Sequence, residues 1–425
     1  MSYPDSVQYL YSLGNELKTG VKFGLDRMRA LVAELGHPEQ GQRFTHVAGT
    51  NGKGSTCAMI VSILEQAGYS TGLYTSPHLI EPTERIQIDG SGVSETEFVR
   101  LFDKVHAAAE KLLSDGRIDT HPSYFETMTA MGLLAFRERC EISVIEVGLG
   151  GRLDATNVIL PELTVITPIS YDHEAYLGNT IESIAAEKAG ILKPGVPVIV
   201  SQQESAAERV ICERAAGLKC EVIRTADLKI SRAALRDDGS SFYIGEEKYE
   251  CGLPGAHQIE NAKAAILACW QMQIETEAIQ RGLKSVRWPG RLEFISRHPD
   301  LVLDGAHNPA GAAALAAYIR QFGTGRPVWL VYGAMRDKAI QEVTEKLFPL
   351  ADHLIVTAPD FPRAVRPEAI LALTSHANAS TAQTVAEAIR LARSAPKDAL
   401  VLFTGSLFLV GEARRLLTGR AASIS

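Results

Sequence analysis

Apolar and polar positions along this chain fall into blocks that switch between two periods. Short apolar runs of about five residues read as buried strands, and longer stretches with apolar residues every three or four positions read as helices. Residues 1–35 carry two helical stripes, Val7, Leu10 and Tyr11 in one and Leu25, Met28, Leu31, Val32 and Leu35 in the other, with Gly20–Gly24 breaking the pattern between them. An apolar run ending at Val47-Ala48 predicts a strand. Cys57, Ile60, Val61, Leu64 and Ala67 predict the helix after it, with Gly68 placed for a left-handed C-terminal residue. Further strands are expected at 71–75, 142–147, 163–167 and 196–200. Helices are expected at about 95–113, from Ser123 onward and from about Asn179 to Gly190. Ser123/Glu126 and Asn179/Glu182 both have capping-box spacing. Residues 81–92, polar and rich in turn formers, read as a loop. Strands alternating with helices through 44–201 predict a doubly wound, mostly parallel sheet.

Residues 220–252 change to short alternating runs around Asp237-Asp238-Gly239 and predict a small antiparallel addition. A helix over about 258–272 follows, then a connector at Trp288-Pro289-Gly290-Arg291. From Leu301 the alternation restarts: strands at 301–304, 327–333, 353–357 and 399–404, helices at 308–321, 337–348, 367–375, 382–394 and 407–417. The chain therefore reads as two α/β units, 1–296 and a smaller, Rossmann-like 297–425. The second has no G-x-G-x-x-G, which gives no support to a dinucleotide site.

Composition narrows the class. The 425 residues are 46% hydrophobic and 22% charged, with net charge −7 and no basic block, which argues against nucleic acid as a partner. No apolar run is long enough to span a membrane, and Met1–Asp5 has no signal-peptide character, so a cytoplasmic protein is expected. The six cysteines include no C-x-x-C pair and read as reduced, structural thiols.

Chemistry concentrates in Gly49-Thr50-Asn51-Gly52-Lys53-Gly54-Ser55-Thr56, a glycine-rich turn from a strand into a helix N-terminus. Such a turn aims backbone N–H groups and the positive helix end at one point, as phosphate requires. Lys53 adds a charge for the outer phosphates, and Ser55 or Thr56 a hydroxyl. Gly54 departs from the usual G-x-x-x-x-G-K-[ST] spacing by separating Lys53 from Ser55. Ligands of open parallel sheets sit beyond the carboxyl ends of the strands. Ser76, Glu146 and His173 follow three other predicted strands, and with the phosphate loop they form a magnesium constellation. Taken singly, each has a plainer reading as a turn residue, a strand-end acid or a loop histidine. Arg27 reads as a solvated charge and Lys188 as a cation complementing a helix C-terminus. In the second unit Asp304 and His307 follow one strand, and Gly405-Ser406-Leu407 follows another.

These motifs, with Ser76–Leu79, Glu146–Asn157, Asp172-His173, Glu187–Gly190, Gly290-Arg291 and Asp304–Pro309, resemble the folylpolyglutamate synthase/dihydrofolate synthase family of Mur ligases over nearly the whole chain. The resemblance implies a monomeric ATP- and Mg²⁺-dependent ligase. Such an enzyme adds L-glutamate to dihydropteroate, to reduced folate, or to both, through an acyl phosphate. It also implies nucleotide contacts from Asn51, Gly52, Lys53, Gly54, Ser55, Thr56, Asn261, Arg291 and Asp304. Metal contacts would come from Ser76, Glu146 and His173, and Lys188 would be carbamylated. His307 and Ser406 would place the incoming glutamate, and Arg27, Phe125, Leu153, Asp154 and Ala155 would lie near the pterin. Two alternatives stay open: another Mur-type amide ligase, and a nucleotide-dependent switch or binding protein. Peptidoglycan Mur ligases carry a whole nucleotide-sugar domain before the loop, whereas 48 residues precede Gly49 here. No guanine-specifying N-K-x-D occurs in the chain.

Overall fold

A computed structural model describes residues 1–14, 24–336 and 339–419. The first unit is built on eight strands: β1 (Arg43–Ala48), β2 (Thr71–Tyr74), β3 (Ile86–Ile88), β4 (Ser91–Gly92), β5 (Ile142–Glu146), β6 (Leu163–Ile166), β7 (Val198–Val200) and β8 (Val222–Arg224). They lie in the order β4-β3-β2-β5-β1-β6-β7-β8. All pairs from β2 to β8 across the middle are parallel, and β3 and β4 close one edge antiparallel. β5 and all but the first residue of β1 are buried, as expected of a sheet covered on both faces. On one face lie the helices Lys53–Gln66, His257–Gln271 and Thr276–Ser285; on the other, Tyr3–Ser12, Asp26–Glu34, Glu95–Ser114 and Tyr124–Arg139. Among the described residues no helix is long and apolar enough to cross a membrane.

Several expectations are met in detail. Ser123 caps its helix reciprocally with Glu126, and Gly68 adopts φ +89° after the helix ending at Gln66. Others need correction. Residues 81–92 are not a loop: Ile86 and Ile88 are buried in β3, and Asp89-Gly90, both at positive φ, turn the chain into β4. The cap at 180 is Thr180 with Ser183, not Asn179 with Glu182. Helices Ser205–Gly217 and Thr276–Ser285 were not anticipated, and Val222–Arg224 joins the main sheet rather than the antiparallel addition. That addition is β9 (Ser231–Arg236), β10 (Gly239–Ile244) and β11 (Glu247–Cys251), with Asp237-Asp238 at its first turn. The break read at Gly20–Gly24 lies, save for Gly24, outside the described residues, as does the start of the helix read at 337.

The second sheet contains β12 (Glu293–Ser296), β13 (Asp300–Leu303), β14 (Val328–Tyr332), β15 (His353–Val356), β16 (Ala379–Thr381) and β17 (Leu400–Thr404), ordered β12-β13-β17-β14-β15-β16. Only β12 is antiparallel to its neighbour. A division at 296/297 therefore falls inside the β12–β13 hairpin, and the second sheet begins at Glu293. β12 and β16 were missed because neither shows a continuous apolar run. Pro309–Phe322 and Ile340–Leu347 pack on one face, Val385–Ala392 and Leu407–Thr418 on the other.

The helices Lys53–Gln66 and Thr276–Ser285 touch backbone to backbone at Gly282, where an added Cβ would lie 2.4 Å from Ile63 Cα and 2.6 Å from Ile63 N. In an open helix Gly→Ala stabilises by about 1 kcal/mol. At this crossing main-chain atoms cannot yield, and overpacking of this kind costs about 1–3 kcal/mol. Gly282→Ala is therefore expected to lower the urea midpoint, and a raised midpoint would contradict the close crossing.

Candidate active site

The carboxyl ends of β2, β5, β1 and β6 are neighbours along one edge of the first sheet, and they carry Ser76, Glu146, the phosphate loop and Asp172-His173 in that order. Four segments far apart in sequence therefore converge because the parallel ladder places their strand ends side by side. The loop itself is shaped by glycine. Gly52 adopts φ +86° and caps the helix Lys53–Gln66; a Cβ there would lie 2.3 Å from Asn261 Oδ1. A Cβ on Gly49 would lie 1.9 Å from Thr167 Oγ1. Gly54, the residue that broke the usual spacing, lies beneath the indole of Trp288, with a Cβ position 3.0 Å from Nε1. The connector thus rests on the first turn of the phosphate-loop helix.

Two lysines donate to the same carbonyl. Lys53 Nζ lies 3.2 Å from Gly49 O and 3.2 Å from Thr50 O, while Lys188 Nζ lies 2.7 Å from Gly49 O. Lys188 is only 5% exposed. Burial, and then the Lys53 charge, pull its ammonium down to about 7. The helix-end reading of Lys188 is therefore incomplete: its side chain reaches into the loop. Glu146 is also buried, and its burial raises the carboxyl above the usual range against the opposing pull of Lys53 and the Ser76 amide. Ser76 N donates to Glu146 Oε2 at 3.1 Å, so the hydroxyl-bearing residue and the carboxylate adjoin. His173 adopts φ +54°, lies beside Asp172 with Nε2 3.8 Å from Oδ1, and remains 38% exposed.

The second sheet contributes its own edge. Asp304 follows β13 and Ser406 follows β17, and these strands are adjacent. Asp304 is buried, accepting from Leu292 N and Ala306 N at 3.0 Å each; burial raises its carboxyl and the Arg291 charge opposes the shift. His307 Nδ1 lies 2.7 Å from Gly305 O, the position of a ring N–H donor, and Nε2 lies 3.9 Å from Asp172 Oδ2. Ser406 Oγ accepts from Phe408 N at the start of its helix. Asn308 joins the two edges: its Nδ2 donates to Asn51 Oδ1 at 3.0 Å and to Asp172 Oδ2 at 3.3 Å. Between the edges runs a cleft of about 1860 Å³.

Most of the residues singled out from the sequence line this cleft: Asn51 to Ser55, Ser76, Phe125, Glu146, Leu153, Asp154, His173, Lys188, Asn261, Arg291, Asp304, His307 and Ser406. Asn261 is fixed by Gln258, which in turn donates to Ser55 Oγ at 3.3 Å. Three residues sit elsewhere. Thr56 is buried inside its helix, and Ala155 opens a buried helical turn. Arg27 is not a solvated charge; it is ion-paired to Glu126 at 2.7 Å, away from the cleft. Asp154 is occupied with structure, its carboxylate accepting from Gly148 N, Leu149 N, Thr156 N and Thr156 Oγ1. Sequence reasoning gave no role to Asp172 or Asn308, although both stood in quoted motifs, nor to Arg85. Arg85 is a buried cleft residue whose Nε donates to His78 and whose guanidinium lies 5.0 Å over the Tyr124 ring. No periodicity or spacing marks a lone arginine of this kind.

The chain is similar to known proteins in sequence and in fold. The Mur ligase middle domain matches residues 47–269, and the Mur ligase glutamate ligase domain matches residues 290–407. The dihydrofolate synthase/folylpolyglutamate synthase of Bacillus subtilis is 39% identical, covering 98% of this chain and 99% of that protein. The Escherichia coli K12 protein of the same name is 32% identical over 97% of this chain and 95% of its own. Among solved structures, Mycobacterium tuberculosis folylpolyglutamate synthase complexed with ADP superposes with a TM-score of 0.91 at 31% identity, covering 99% of this chain and 100% of that one. E. coli FolC in complex with DHPP and ADP gives 0.86 at 30% identity, covering 98% of each chain. By sequence, by domain order and by fold, the chain belongs to the dihydrofolate synthase/folylpolyglutamate synthase family of Mur ligases.

Proposed function

We propose that this protein uses ATP to ligate L-glutamate to dihydropteroate, to the glutamate tail of a reduced folate, or to both. The observation that carries the reading is the Asn308 bridge, which holds the phosphate-loop edge of one sheet against the Asp304–His307 edge of the other. A switch or binding protein needs the first edge alone. A carboxylate is a poor electrophile, so the γ-phosphate of ATP is transferred to it, and the amino group of glutamate then displaces phosphate from the acyl phosphate. Such chemistry asks for positioning and charge stabilisation more than for covalent catalysis.

The loop amides and Lys53 would receive the phosphates. The glycine cradle fits them, since a Cβ at Gly49 or Gly52 would collide with its surroundings. Asn261, Arg291 and Asp304 would hold the rest of the nucleotide. Mg²⁺ fits the donor set as well: a buried carboxylate and an adjoining serine are the oxygen ligands it prefers, with His173 at a second position. When bound, it would neutralise charge on the transferred phosphate. Lys188 has a lowered pKa and a buried position, so a substantial share of its amine is uncharged near neutral pH and open to carbamylation. A carbamate there would turn a cation into an anion beside the metal residues. His307, through its Nε2, and Ser406 would help to place the glutamate. Phe125 and Leu153 would line the pterin side, with Asp154 shaping the loop rather than touching substrate. Arg27 would act through Glu126, which caps the helix carrying Phe125.

Phosphate release from ATP, measured with glutamate and either dihydropteroate or a reduced folate side by side, should depend on the pterin substrate in at least one arm. Release that ignores both acceptors would count against ligation. Glu146→Gln keeps the shape and loses the charge, so turnover should fall at least about tenfold at fixed Mg²⁺ and recover partly as Mg²⁺ is raised. An unchanged magnesium dependence would remove Glu146 from the metal.

The buried lysine has a separate signature. Its folded pKa lies below the unfolded one, so between about 7 and 10.5 the unfolded chain holds the extra proton. Folding stability then rises with pH in that window, by at most about 1.4 kcal/mol per unit, and the gain disappears as pH falls through 7. Denaturant titrations in buffer stripped of carbon dioxide should show a shallower rise for Lys188→Met than for the parent. Parallel curves would mean that Lys188 keeps its charge in the folded protein.

A further inference from the structure

Away from the cleft, the helix Glu95–Ser114 carries His106 and Glu110 one turn apart on one face, and the loop after it returns His121 to the same place. His106 Nδ1 lies 4.0 Å from Glu110 Oε1, and His121 Nε2 lies 3.3 Å from that same oxygen. The three atoms fall within 4.8 Å of one another. None of these residues lines the cleft, and none is used in the ligation chemistry above.

Both imidazoles present the nitrogen a metal would need. His106 Nδ1 is buried and has no hydrogen-bond partner. Its ring is held by a stack on Phe102, at 5.5 Å between centroids, and by an edge contact with Tyr9 at 4.8 Å. His121 Nδ1 lies 3.4 Å from Pro122 O, an outer contact of the kind that orients a ligating imidazole, and its Nε2 is aimed at Glu110. The Tyr9 hydroxyl lies 3.2 Å from the same Nε2. A hydrogen bond from Tyr9 would satisfy His121 alone and leave His106 without a partner.

We propose that His106, Glu110 and His121 bind one zinc-type divalent cation. Two imidazoles and one carboxylate suit zinc rather than magnesium or calcium, which prefer oxygen ligands. Bonds of about 2.0–2.2 Å to a tetrahedral ion put ligand atoms roughly 3.4 Å apart, which the 3.3 Å pair meets and the 4.0 Å pair reaches by a small shift of Glu110. Glu110 is 57% exposed and free to adjust, and Tyr9 or water would supply the fourth ligand. The ion would fasten the end of one helix to the loop leading into Ser123, the cap of the helix that presents Phe125 to the cleft.

The test uses tag-free, metal-stripped full-length protein titrated with Co²⁺ and then Zn²⁺ in excess Mg²⁺. One equivalent of Co²⁺ should develop the visible absorption of a four-coordinate site, and Zn²⁺ should bleach it. Glu110→Gln and His121→Gln should each weaken Zn²⁺ binding at least about tenfold while leaving circular dichroism and Mg²⁺-dependent turnover unchanged. Both positions are used because the His106 ring packs against aromatic neighbours and its loss would disturb the fold. Absence of the Co²⁺ spectrum, or Zn²⁺ affinity unchanged in both variants, overturns the proposal.

Discussion

Two lysine amines meeting at one backbone carbonyl, that of Gly49, set the terms for the rest of this molecule. Lys53 comes from the helix that follows the loop and Lys188 from a helix more than a hundred residues later. Burial and the nearby Lys53 charge are relieved by lowering the proton affinity of Lys188, while the Gly49 carbonyl accepts from both amines. The loop is thus held from both sides at Gly49 O, the kind of preorganisation that phosphoryl transfer depends on. It also explains why Lys188 has no room to swing out: its surroundings enclose it completely enough to lower its proton affinity.

The parallel ladder explains why so many separate motifs end at one place. Each strand delivers its carboxyl end to the same edge, and the order β2-β5-β1-β6 makes neighbours of residues spread from 49 to 173. The second sheet repeats the device with β13 and β17. Asn308 then touches both the phosphate loop and Asp172. A site assembled from two sheet edges needs few dedicated residues, since the scaffolds do most of the positioning.

That logic also decides what could be read from the chain. Buried strands flanked by glycine turns are legible because burial on both faces leaves an unbroken apolar run, as in Ile142–Glu146. The strand-end rule then places Ser76, Glu146 and His173 together without any coordinates. What stayed hidden depends on contacts between distant segments. β3 reads as a loop because its polar neighbours mask a short edge strand, and β16 is three residues of Ala, Ser and Thr. Arg27 reads as solvated, since nothing near it in sequence reveals Glu126 ninety-nine positions away. Asp154 looks like a ligand residue until its carboxylate is found filled by four local donors. Lys188 is the sharpest case: helix-end chemistry accounts for its position in sequence, and only the fold shows where its nitrogen goes.

The contact between Gly54 and Trp288 has a consequence for how the sequence can vary. The indole belongs to the segment joining the two units, and it fills the space that any side chain at position 54 would occupy. Size at one position is thus exchanged against size at the other. A lineage that enlarged residue 54 would have to shrink residue 288, and would loosen the joint between the units in doing so. The glycine that looks surplus in the phosphate motif is the seat on which the segment joining the two units rests.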